Sequence, residues 1–128
     1  MRLPLLIPAF ILLSLYSAAQ KKFPIEEWAT KLNSKDDIEN SELRKISWYT
    51  LRNYDSATVA ACFKQLENTG EQGAYFRARL SFLKAADIYY RQGDIDKLIK
   101  LCEQSLYEAY ETSDDYFIAY MSFFYGLV

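Results

Sequence analysis

The chain contains no histidine, and its 128 residues include only four glycines, three prolines and two cysteines. Without histidine, the commonest general base and the usual metal ligand are both missing. Gly70, Gly73, Gly93 and Gly126 are too scattered for a phosphate-cradling loop, and no Gly-x-Ser-x-Gly elbow presents a serine nucleophile. Cys62 and Cys102 are far apart in sequence and lack zinc-type spacing. No segment sustains the two-residue alternation of a half-buried strand. These absences point away from an enzyme, a cofactor and a metal, and toward an all-helical chain.

Charge narrows the partners. Formal net charge is −2, and the region from Gln20 keeps 14 of the 15 basic residues and all 17 acidic ones, a net charge of −3. That balance argues against nucleic acid, which calls for clustered Lys and Arg. Residues 101–128 hold five acids (Glu103, Glu108, Glu111, Asp114, Asp115) and no base. This stretch reads either as a solvated acidic edge or as a docking surface for a basic partner.

The first nineteen residues read as a secretory signal peptide. Arg2 precedes an almost wholly apolar run from Leu3 to Tyr16, and Ser17-Ala18-Ala19 supplies the small residues that favour cleavage before Gln20. A retained anchor is the alternative, but the run is short of the roughly twenty residues a span needs and contains Pro4 and Pro8. The expected location is therefore secreted or periplasmic. In such a compartment a Cys62–Cys102 disulfide is open, beside the reading of both as small buried apolar residues.

Helical periodicity fills the rest. Pro24 fits a first turn, and Ile25, Trp28, Ala29 and Leu32 share a face. Asp36 and Asp37 open a second helix carrying Leu43, Ile46 and either Tyr49 or Thr50 on one stripe. A third runs from about Ala57 to Glu67 with Val59, Ala60, Cys62, Phe63 and Leu66 as its apolar set. Then come the two most legible helices. Tyr75, Ala78, Phe82, Ala85 or Ala86, and Tyr89 form one stripe; Ile95, Leu98, Ile99, Cys102, Leu106 and Ala109 form the other. Between them, Gly93 is expected to take a left-handed backbone and Asp94 to cap the next helix. A final apolar helix spans 116–128. It has 11 apolar residues in 13 and is too short to cross a membrane as it stands. The carboxylate pairs Asp36-Asp37, Asp94 with Asp96, and Asp114-Asp115 all fall at helix starts, where they read as caps rather than as calcium or catalytic sites. Links this short make neighbouring helices antiparallel, giving a row of hairpins.

The joint Tyr89-Tyr90-Arg91-Gln92-Gly93-Asp94 and its flanks resemble the tetratricopeptide repeat, a helix-turn-helix unit of about 34 residues. Phe82 falls at the pattern's Trp, Ala85 at its Leu, Ala86 at its Gly and Tyr89 at its Tyr. Leu98 occupies the first small-residue position, Cys102 the Phe position and Ser105 the later small one; Tyr110 replaces the Pro. The resemblance implies an α-solenoid of hairpins, with 20–70 as a degenerate repeat region and 71–128 as one hairpin plus an incomplete following unit. An exported array of this kind is similar to the periplasmic sensor regions of repeat-containing histidine kinases and regulators in Bacteroidota-type bacteria. It implies a protein- or peptide-binding module at the N-terminal end of a longer signalling protein. An independent small secreted helical protein is the alternative.

Eleven tyrosines and eight phenylalanines are the compositional excess. They fill helical cores, and they also suit interfaces, because tyrosine joins a large apolar area to a hydroxyl that tolerates water. Tyr107, Tyr110, Tyr120, Phe124 and Leu127 are the candidate interaction residues. The last three form a stripe expected to drive self-association through the final helix.

Overall fold

The structure, a computed structural model, describes residues 25–35, 45, 51–69 and 72–126, with the side chain of Phe124 excepted. The expected signal peptide at 1–19, the expected helix opening at Asp36-Asp37, and Leu127 lie outside the described residues.

Every described element is helical: α1 (Ile25–Asn33), a single 3-10 turn (Leu51–Asn53), α2 (Ser56–Glu67), α3 (Ala74–Tyr90), α4 (Ile95–Glu111) and α5 (Asp115–Gly126). The helices agree with the expected spans to within a residue or so. Among the described residues no helix is long and apolar enough to cross a membrane.

Aspartate starts three of these helices. Asp55 accepts the Thr58 amide at 2.7 Å, Asp94 those of Asp96 and Lys97 at 2.9 and 3.2 Å, and Asp114 that of Phe117 at 3.1 Å. Each satisfies amide groups that the first helical turn leaves free. The capping reading thus holds for Asp94 and Asp114, with Asp96 and Asp115 in the first turns beside them.

The α3–α4 turn departs from expectation. The left-handed residue is Gln92, at φ 52°, not Gly93. Gln92 N–H donates to Tyr89 O at 3.2 Å and Gly93 N–H to Ile88 O at 2.9 Å, the paired bonds of a Schellman stop. Glycine is needed one position later for room, since a Cβ on Gly93 would lie 3.1 Å from Ile88 Cγ2.

Helix α3 is the axis of the fold. It has its most extensive packing with α4 and also meets α1, α2 and the 3-10 turn. Phe76, Ala78, Leu80, Phe82, Leu83, Ala85 and Ala86 are all buried, so apolar side chains surround it rather than forming one stripe. The larger core joins Trp28, Leu32, Val59, Leu66, Phe117 and Met121 to it, and a smaller one gathers Ala85, Leu98 and Cys102. Ser105 lets α4 approach closely, its hydroxyl donating to Ala78 O at 2.8 Å. Cys62 and Cys102 are buried free thiols, and burial pushes both thiols above their ordinary pKa.

Candidate interaction surface

Two arginines on or beside α3 hold the preceding chain. Arg79 is 1% exposed. Its Nη1 donates to Leu32 O at 2.8 Å, to Lys31 O at 3.3 Å and to Ser34 O, all at the C-terminal end of α1. The C-terminal end of a helix carries the negative end of its dipole, so a buried cation is favourable there, in addition to the Ser34 N–H that donates to Lys31 O at 3.2 Å. The rings of Tyr75 and Phe117 lie 5.3 and 5.1 Å from the guanidinium carbon and add cation–π attraction. Tyr75 in turn donates to Asp114 Oδ2 at 2.7 Å. One polar chain therefore links the end of α1, the start of α3 and the cap of α5. The Phe117 amide and then the Tyr75 hydroxyl hold the Asp114 carboxyl below its usual value, while burial and Asp114 raise the Tyr75 phenol.

Sequence reading passed over Arg79. The available signal was its spacing, four residues after Tyr75 and three before Phe82, inside an otherwise apolar face. Beyond the end of α3, Arg91 does similar work. It pairs with Asp87 at 2.7 Å and donates to Tyr54 O at 2.6 Å and Leu51 O at 3.3 Å.

The candidate interaction residues separate into three groups. Tyr107 and Tyr110 stand out from α4, 67% and 63% exposed. Glu103, one turn before Tyr107, is exposed on the same outer face. Tyr120 does not belong with them: it is half-buried, packed on the main core with its ring 6.3 Å from that of Phe82. The expected stripe is displaced because α5 turns Phe117 and Met121 fully inward, which carries neighbouring Tyr120 against α3. Leu127 lies outside the described residues, as does the side chain of Phe124.

The flank of α4 is partly neutralised. Arg77 binds Glu108 at 2.8 Å and Glu111 at 2.9 Å, bridging α3 and α4. Hydrogen bonding to Glu108 raises the guanidinium pKa further.

At the opposite end of the hairpin, three residues expected on apolar faces are instead exposed: Tyr89 at 46%, Ile95 at 68% and Ile99 at 40%. They lie at the turn, beyond the level of the shared core, and with Ile88 and Leu98 they line an apolar cleft of about 330 Å³. Among the described residues no group of three or more Cys, Asp or Glu converges as a metal site would require.

No family model, curated protein or solved structure matches this chain.

Proposed function

We propose that the chain is a tetratricopeptide-like interaction module that binds a protein or peptide, exported through its leader as the sensory part of a longer signalling protein. The carrying observation is the outer face of α4, where Tyr107 and Tyr110 project from the rigid α3–α4 hairpin beside exposed Glu103. Exposed tyrosines on a fixed helix offer contact area at little entropic cost, and tyrosine is enriched at interfaces. The acids here are unevenly committed. Arg77 holds Glu108 and Glu111, Tyr75 and the Phe117 amide hold Asp114, and Glu103 and Asp115 face solvent. Such a face fits a peptide that lays apolar side chains on the tyrosine rings and brings a Lys or Arg to Glu103.

Export rests on the pattern of residues 2–19, and the repeat assignment rests on the spacing from Phe82 to Ser105 around the Gly93-Asp94 turn. A panel of labelled peptides, basic-apolar, acidic and neutral, titrated against the chain by fluorescence polarisation, tests the reading. The basic-apolar class should bind best. Tyr107→Ala combined with Tyr110→Ala should weaken it by about tenfold or more, equivalent to about 1.4 kcal/mol, with helicity unchanged. Equal binding of all three classes, or no loss in the double variant, would refute it.

A further inference from the structure

We propose that the pocket between the 3-10 turn and the end of α3 binds a small free monocarboxylate. Leu51, Arg52, Asp87, Tyr90 and Arg91 line this pocket, whose volume is about 150 Å³. It shares no residue with the outer face of α4, so it stands independently of the peptide-binding reading. Arg91 is already oriented there. Its Nε donates to Asp87 Oδ1 at 2.7 Å, and its Nη2 to Tyr54 O at 2.6 Å and Leu51 O at 3.3 Å. These acceptors fix the guanidinium plane before any ligand arrives, which lowers the ordering cost of binding. Nη1 has no partner among the described residues, and its N–H groups remain to donate. Arg52 is exposed on the 3-10 turn, and its side chain makes no hydrogen bond or ion pair among the described residues.

Charge and size select the ligand. Arg52, Arg91 and Asp87 together leave the pocket with a net charge of +1. One carboxylate restores neutrality, and its two oxygens match the paired N–H donors of a planar guanidinium. A phosphate dianion would carry excess negative charge into a pocket that Asp87 also lines. The volume of about 150 Å³ equals that of about five waters at about 30 Å³ each, room for an acid of about five non-hydrogen atoms such as propionate. Leu51 and Tyr90 give its alkyl end an apolar wall.

Sodium propionate titrated into the full chain at fixed ionic strength tests the site, followed through the Nε–H resonances of Arg52 and Arg91 by nuclear magnetic resonance. The shifts should saturate with a Kd of about 1 mM, as suits an open, partly solvated ion pair. Arg52→Gln changes an exposed side chain, so helicity should be unchanged while propionate binds about tenfold more weakly or worse. Shifts that never saturate, or that sodium chloride reproduces, would mean screening alone. Phosphate binding as tightly as propionate would mean that total negative charge is read, not a carboxylate. An acidic peptide that binds where propionate does not would assign the pocket to a protein side chain. Unchanged affinity in Arg52→Gln would remove the second arginine from the site. Any of these results overturns the proposal.

Discussion

Helices α3 and α4 are equally long, lie side by side and meet at one tight turn, yet they hold their places differently. α4 is one-sided. Leu98, Cys102, Ser105 and Ala109 are buried, while Lys100, Glu103, Tyr107 and Tyr110 face out. α3 is surrounded, with apolar residues buried around most of its circumference and Arg79 among them. The difference shows what a helix's neighbours require of it. A helix with one covered flank needs one stripe. A helix that serves as axis must satisfy each neighbour separately, including the carbonyl end of α1, and there an arginine fits where an apolar residue would leave acceptors unpaired.

Substitutions sharpen that contrast. The largest effect should fall on the axis: Phe82→Ala should cost about 3–5 kcal/mol, and Leu98→Ala, on the covered face of α4, about 2–5 kcal/mol. Lys100→Ala, two positions away, should stay within about 0.5 kcal/mol. Urea denaturation measures all three, and equal losses at Leu98 and Lys100 would break the one-sided description of α4.

Arg79→Met keeps much of the volume but removes the donors to α1. Leaving buried carbonyls unpaired should cost about 1–3 kcal/mol. Hydrogen exchange should accelerate in α1 before it does in α4; uniform acceleration would mean that Arg79 is not specific to α1.

Asp114→Ala should cost about 1 kcal/mol at neutral pH, as lost N-caps do. The carboxyl has a folded pKa below its ordinary value. Its contribution is therefore complete above the unfolded pKa of about 4 and lost as pH falls through the lower folded value. Wild type and variant should converge in acid, and a gap that persists at the lowest pH would assign the loss to packing.

The smallest expected effect is a gain. Gln92→Gly relieves a left-handed non-glycine residue and should add up to about 1 kcal/mol, read as a higher midpoint of thermal unfolding.

The helices, their starts and the face of α4 were legible because each depends on nearby residues. Aspartate before an apolar periodic run caps whichever helix follows, and a stripe at three- and four-residue spacing turns inward wherever one partner exists. For Tyr107 and Tyr110 the sequence left core and surface both open, and the structure exposes them, away from the buried stripe. The carry-through failed at Tyr120, Tyr89, Ile95 and Ile99, whose burial depends on where another helix ends rather than on their own helix.

By itself, then, the sequence determined the helical class, the aspartate-capped starts of α2, α4 and α5 and the inward face of α4, since backbone hydrogen bonding and periodic burial act over a few residues. Only the tertiary structure decided that α3 is the axis, that Arg79 closes the end of α1, that Tyr120 packs inward while Ile95 and Ile99 line a cleft, and that Gln92 rather than Gly93 takes the left-handed turn. Each of those depends on groups brought together across the fold or on the room they leave, and no local pattern encodes that distance.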